Sequence, residues 1–408
     1  MAQLPLGDPA PIDGLLPASA ANAQDRSFHA YVHIPFCSVR CGYCDFNTYV
    51  STELRGVTQA GFFQHLISEI EFSKKVLTES GFMTKPLNSV FFGGGTPSQL
   101  PAQDLAAILQ ALIDAFGIEP NAEVTTEANP DDVTLEFLRE LKEAGFTRVS
   151  FGMQSAVASV LKVLDRGHTP EKVPQVVSWA KQVGLQTSVD LIYGAPTETI
   201  GDWQKSIDSA LELKTDHISA YSLIVEPGTK MARKIASGEL PEPDEDEQAI
   251  KYEMADAAFA LAGLRWYELS NWATEDATAS KHNLSYWQGK NWWGYGPGAH
   301  SHVGGVRWWN QKHPASYVAP LLRGESPALG RETLSKQAQL EEQVLLEIRT
   351  REGLSIDVLR QLGVHRANTI AGLIADELVD PKLAMRGRLA LTLKGRLLAD
   401  SVVRSLLV

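Results

Sequence analysis

Residues 31–49 read Tyr-Val-His-Ile-Pro-Phe-Cys-Ser-Val-Arg-Cys-Gly-Tyr-Cys-Asp-Phe-Asn-Thr-Tyr. The chain has 408 residues and three cysteines, and all three, Cys37, Cys41 and Cys44, fall in this stretch. A C-x3-C-x2-C loop puts three soft sulfur donors close enough to hold one inorganic centre, either an iron–sulfur cluster or zinc. With no fourth cysteine, a site of four thiolates from one chain is excluded, and zinc would need a histidine such as His33. Buried cysteines acting as small hydrophobes are the plainer alternative. Ser38, Arg40, Gly42, Asp45 and Asn47 make this loop polar, so a metal site is the better reading.

Outward from the loop, short apolar runs alternate with longer amphipathic ones. Strands are expected near residues 29–34, 89–92, 123–127, 148–152, 185–193 and 217–224, and helices near 58–79, 102–116, 135–144, 171–183 and 200–213. Six strands with helices between them predict parallel strands curled into an incomplete TIM-like barrel, a (β/α)6 arrangement in the α/β class. Chemistry in such barrels sits at the C-terminal strand ends. There the Gly93-Gly94-Gly95-Thr96-Pro97 turn has no Cβ to obstruct a ligand, and its free backbone groups can meet a carboxylate or amine. Glu127, Gln154 and Asp190 are polar groups where an all-parallel strand should be apolar. Each could equally be a satisfied buried polar group, and Arg166 alone would read as a surface charge.

The composition, 44% hydrophobic and 21% charged, suits one large domain plus a smaller one. A net charge of −12 argues against a general nucleic-acid binder. Three clustered cysteines leave no disulfide framework, which points to a reducing, cytoplasmic setting. No run reaches the roughly 20 apolar residues of a membrane span. Residues 1–27 lack a basic n-region and read as a disordered leader.

The cysteine loop, with an aromatic residue before its last cysteine, resembles the signature of the radical S-adenosylmethionine (SAM) superfamily. Its flanks, Tyr-Val-His-Ile-Pro-Phe before and Asp-Phe after, resemble the branch that contains oxygen-independent coproporphyrinogen III oxidase and related haem chaperones. The resemblance implies that Cys37, Cys41 and Cys44 hold a [4Fe–4S] cluster whose open iron is chelated by SAM. It implies further that Tyr31 and Tyr43 lie beside cluster and SAM, and that the Gly94-Gly95-Thr96 backbone binds the methionyl end. Glu127, Gln154, Arg166 and Asp190 would complete the SAM site. The barrel is then a radical SAM barrel over residues 28–240.

Beyond it, residues 241–322 hold seven of the nine tryptophans, from Trp266 to Trp309, and suggest an aromatic-rich α+β subdomain. By composition this is an aromatic-stabilised, Gly-rich unit packed on the barrel, or a flat apolar platform with imidazoles for a porphyrin. His-Asn-x-x-Tyr-Trp at 282–287 resembles the haem-binding motif of the haem chaperones, which favours the second reading with His282 as ligand. His300 and His302 are weaker candidates. Residues 323–333 read as a linker. Residues 334–408 read as a winged-helix-like domain, with a β-wing from Arg388, acting as a lid or partner-docking surface.

Two functions compete. In one the chain binds haem and passes it to an unidentified, membrane-associated or soluble, acceptor protein. In the other a reduced cluster cleaves SAM for oxidative decarboxylation of coproporphyrinogen. The resemblance gives the oxidase an additional cysteine where this chain has Phe46, and no His-Asn-x-x-Tyr-Trp motif. Both departures favour the haem chaperone without oxidase activity, and leave open whether SAM is cleaved or only held.

Overall fold

The computed structural model of the chain describes residues 7–23, 26–83, 85–363 and 366–407. Six parallel strands, β1 (Phe28–Ile34), β2 (Leu87–Gly94), β3 (Ile118–Ala128), β4 (Arg148–Gln154), β5 (Gln186–Tyr193) and β6 (His217–Ser222), pair in chain order. β1, β4 and β5 are buried along almost their whole length, and β3 in its second half, because helices cover the outer face and the barrel interior lies on the other. The outer layer is α1 (Phe62–Glu79), α2 (Ala102–Phe116), α3 (Leu135–Glu143), α4 (Ala158–Val163), α5 (Lys172–Gln182), α6 (Ile200–Glu212), α7 (Lys230–Ala236) and α8 (Glu245–Leu261). Their starts are written in the sequence. Thr134, Thr199, Thr229 and Asp244 each accept a backbone N–H of the first turn, and Thr199 forms a reciprocal capping box with Asp202. The incomplete TIM-like α/β barrel expected from the alternation is the fold.

The aromatic-rich segment extends this sheet at both edges. A hairpin of β7 (Arg265–Glu268) and β8 (Asn271–Ala273) adds through β8, which pairs antiparallel with β6, while β7 pairs antiparallel with β8 at the outer edge. After α9 (Lys281–Trp287), β9 (Asn291–Tyr295) adds parallel to β1, and β10 (His300–Val303) and β11 (Val306–Asn310) follow as a meander. The short helix α10 (Pro314–Leu321) then packs beside α1.

Two segments outside the C-terminal domain differ from expectation. In the supposed linker, Ala328–Thr333 is a strand, β12, paired antiparallel to β11, where it covers an otherwise open edge. The described part of the supposed leader is also placed. Asp8–Pro9 pairs with Gly330–Arg331, Leu16 and Ala20 are buried, and the Leu16 N–H reaches Ser80 Oγ at 2.9 Å.

The C-terminal residues form six helices, α11 (Lys336–Glu347), α12 (Ile356–Gln361), α13 (Ala367–Ala375), α14 (Pro381–Ala384), α15 (Leu393–Leu397) and α16 (Ala399–Leu407), on a core of their own that includes Val344, Ile348, Leu354, Leu359 and Val402. The expected wing is reduced to Arg388–Leu389 against Leu354–Ser355, because Thr392 caps α15 and ends the extended run. Arg396 on α15 ties this unit to the barrel. It makes a two-pronged ion pair with Asp256 at 2.7 and 2.8 Å and lies 4.4 Å from the Trp266 ring. Among the described residues no helix is long and apolar enough to cross a membrane.

Candidate functional site

Strand β1 ends at Pro35, and the cysteine loop is closed by Cys37 N–H to Tyr49 O (3.0 Å) and Tyr49 N–H to Pro35 O (2.7 Å). Its tip is held from outside. Gly42 N–H donates to Leu164 O at 3.2 Å, and Met231 N–H donates to Gly42 O at 2.8 Å. A Cβ at Gly42 would lie 2.5 Å from the Asp165 carboxylate, which pairs with Lys230 at 3.0 Å, so a larger residue there would have to displace that side chain. The three thiols are half-buried and line one cavity. Burial pushes the Cys37 and Cys44 thiols up, although hydrogen bonds oppose it. Among the described residues no three thiol, imidazole or carboxylate groups already converge as a metal site. His33 does not join the thiols: its nitrogens face the Tyr31 hydroxyl (3.1 Å) and Asn47 O (3.0 Å).

The glycine turn works differently from expectation. Its N–H groups are not free: Gly94 donates to Glu127 Oε2 (3.2 Å), Gly95 to Ile34 O (2.7 Å) and Thr96 to Phe36 O (2.8 Å). What glycine supplies is approach. Gly94 has φ +108°, and a Cβ on Gly95 would sit 2.6 Å from Phe36 O and 3.0 Å from Cys37 Sγ.

Opposite it, burial and the negative Asp190 raise Glu127 to about 8, and the Gly94 N–H offsets little of this. Asp190 is raised by burial too, against a bond from Ser150 Oγ at 3.0 Å. Gln154 ends β4 at φ +60°, in the left-handed region that costs a non-glycine residue energy. Arg166 donates to Gly152 O (3.0 Å) and approaches Cys41 Sγ (3.5 Å), while its buried Nε has no partner.

The structure brings all the predicted residues together. The three cysteines, Tyr31, Tyr43, Gly94, Gly95, Thr96, Glu127, Gln154, Arg166, Asp190 and His282 line a single cavity of about 570 Å³ inside the barrel. His300 and His302, on β10, do not line it, and neither does any tryptophan. The tryptophans pack as core, as in the Trp293–Trp308 pair at 4.7 Å, rather than forming an open platform. Phe46 is 57% exposed on the cavity rim.

Sequence reading missed the cavity's lower wall: Arg148, Ser150, Ser188, His217, Ser219 and Asn271. A signal was present, since Ser150 pairs with Ser188, and Asp190 with Ser219, in register on adjacent strands. The floor is α9, whose first turn rests on Glu123. That carboxylate accepts from Ser280 Oγ (3.0 Å), Lys281 N (2.9 Å), His282 N (3.3 Å) and Arg148 (3.0 Å). His282 is 2% exposed, with Nδ1 on Ser89 Oγ (2.9 Å), Nε2 on the Tyr286 hydroxyl (2.8 Å) and its ring stacked on Phe91.

Residues 31–210 match the profile of the Radical SAM superfamily. The E. coli coproporphyrinogen III oxidase HemN, described as a radical SAM enzyme, superposes with a TM-score of 0.79 over 95% of this chain and 92% of its own, at 23% identity, a likeness of fold. The chain is a radical SAM protein. It is 43% identical to the haem chaperone HemW of Mycobacterium tuberculosis over 98% of both chains, and 32% identical to HemW of Bacillus subtilis over 91% of this chain and 97% of that one. It belongs to the HemW family.

Proposed function

We propose that the chain is a haem chaperone: it binds haem, passes it to an acceptor protein, and carries a [4Fe–4S] cluster with SAM. The observation that carries the cofactor part is the gathering of the thiols and the SAM residues around one cavity. The donor set fits the chemistry. Three thiols without a fourth protein ligand leave a coordination position open. SAM carries cationic and carboxylate groups together, and the cavity offers both kinds of partner, the carboxyls of Glu127 and Asp190 and the guanidinium of Arg166. The cluster when bound supplies an open iron and redox capacity, which makes SAM binding and SAM cleavage both open to it.

The haem part is supported by the likeness to proteins named haem chaperone HemW, by the His282 motif, and by Phe46 in place of a further cysteine. In this arrangement the backbone bonds of Gly42 to Leu164 and Met231 hold the cysteine loop in place, and Arg166 faces Cys41. Tyr43 packs the loop against Leu164, Ile192 and Met231. His282 is the proposed haem ligand through Nε2, once the Tyr286 hydroxyl gives way.

The test is a haemin titration of the anaerobically reconstituted chain, followed by its Soret band, with His282→Ala in parallel. Near-stoichiometric, saturable binding that weakens or changes spectrum in the variant supports the reading. Non-specific binding together with coproporphyrinogen turnover would replace it with the oxidase. Pairwise Cys→Ser variants at 37, 41 and 44 are expected to lose the brown chromophore, and full iron and sulfide in them would remove the cluster assignment.

A further inference from the structure

The proposed haem ligand and the proposed SAM residues face one space. His282 is 2% exposed, its Nδ1 is engaged by Ser89 Oγ at 2.9 Å, and its Nε2 meets the hydroxyl of Tyr286, a residue of the cavity wall, at 2.8 Å. A metal therefore reaches Nε2 from inside the cavity. The ring is held back from coming out to meet it, because Glu123 accepts the Lys281 and His282 N–H groups at 2.9 and 3.3 Å and so anchors the first turn of α9.

The same walls serve SAM. The His282 ring stacks on Phe91 with centroids 5.2 Å apart, and lies 6.4 Å from the ring of Tyr31, which itself stacks on Phe91. Phe91 adjoins Glu127. A Cβ on Gly93 would lie 2.9 Å from Phe91 Cε1 and 3.1 Å from Glu127 Oε2, so ring edge and carboxylate flank one point. Two of the residues assigned to SAM thus neighbour the haem ligand, Tyr31 directly and Glu127 across one aromatic ring.

Size decides whether two ligands can share this space. A cleft of about 300–1,000 Å³ buries one drug-sized ligand, and SAM and haem are each at least that large. The cavity measures about 570 Å³, and the three thiols open into it, so a cluster takes part of that volume as well. A macrocycle ligated through Nε2 lies across the Fe–N axis and extends sideways past the imidazole, where Phe91, Tyr31 and Glu127 stand.

We infer that SAM and haem exclude one another from this cavity: haem on His282 keeps SAM from Tyr31 and Glu127, and entry of SAM releases haem. This rests on the haem-chaperone reading and gives SAM a part in it, as the signal that unloads the chain. The exclusion is reciprocal, each ligand weakening the other by the same factor.

The test is a haemin titration of the reconstituted chain, followed by its Soret band at a series of SAM concentrations and without reductant, so that SAM is held and not consumed. The apparent haem dissociation constant should rise in proportion to SAM without levelling, to about 100-fold when SAM stands at about 100 times its own dissociation constant. Calorimetric titration of SAM into the haem-loaded chain should show the reciprocal loss. Glu127→Gln should need roughly 10–100-fold more SAM for the same displacement. A haem affinity indifferent to SAM, or one that levels off at saturating SAM, means that both ligands sit in the chain together and overturns the inference. His282→Ala separates that outcome from failure of the reading beneath it. If the variant loses haem while SAM leaves haem on the unaltered chain undisturbed, the exclusion alone fails and the chaperone reading stands. If the variant binds haem as the unaltered chain does, haem lies elsewhere, and the inference falls together with the assignment of His282.

Discussion

Strand β3 carries two carboxylates four residues apart, and they have opposite characters. Glu123, at the floor, accepts from Arg148, from Ser280 and from two backbone N–H groups at the start of α9. Glu127, toward the C-terminal end, has one backbone donor, faces the like charge of Asp190, and is pushed up to about 8. Even spacing puts both on one face of the strand, so orientation does not separate them. What separates them is satisfaction. A buried charge whose partners are complete holds the fold together, and one whose partners are missing waits for a ligand.

The largest test of that contrast is Glu123→Leu. It leaves Arg148, 3% exposed in its side chain, without a counter-ion, and frees the first turn of α9. Removing one partner of a buried pair costs about 3–5 kcal/mol, so denaturant unfolding should show a loss of that order. A loss below about 1 kcal/mol would mean that Glu123 is not the keystone of the floor.

At the other end Glu127→Gln should separate stability from binding. A carboxyl raised from 4.5 to about 8 contributes stability that is present below the lower value and lost as pH rises through the upper one. The variant should therefore gain stability relative to the unaltered chain as pH increases from about 5 to 9. Ionised Glu127 is the form that attracts a cation, so SAM affinity in the unaltered chain should strengthen with pH up to about 8 and then level. In the variant it should be weaker by roughly 10–100-fold, the worth of a hydrogen bond to a charged group, and flat in pH. Calorimetric titration from pH 6 to 9 measures this, and an unchanged affinity in Glu127→Gln would falsify the cation-holding role.

The same contrast explains what the sequence showed. Of the upper rim, the cysteines and the glycine turn are marked by their spacing, whereas Glu127, Gln154, Asp190 and Arg166 were assigned to the site only by the family resemblance. The six barrel strands were equally legible, because burial on both faces writes them as apolar runs. The floor was not legible. Glu123 and Arg148 are 25 residues apart, and Ser89 lies 193 residues from His282, so Glu123, Arg148 and Ser89 read as ordinary strand residues until the fold pairs them, and only His282 was marked, by its motif. The described part of the leader failed for the same reason: Asp8 has its strand partner at Arg331. The wing failed differently. Its alternation from Arg388 was real, but Thr392 turned the run into a helix start, a local choice between cap and strand that tertiary contact decided.

The smallest effect sharpens the contrast within the rim itself. Ser150 Oγ donates to Asp190 Oδ2 at 3.0 Å and helps Asp190 stay ionised. Ser150→Ala removes that donor, so the Asp190 carboxyl rises further and carries less charge at a given pH. Less charge on Asp190 means less repulsion on Glu127, whose own titration should then fall below its present value of about 8. The shift should be under about one unit, because burial, the larger cause, is untouched. Carboxyl 13C titration of glutamate-labelled chain would follow Glu127, assigned by its loss in Glu127→Gln. A fall identifies Asp190 as the second cause of the raised value. No movement at all would mean that burial alone sets Glu127, and that the two rim carboxylates titrate independently.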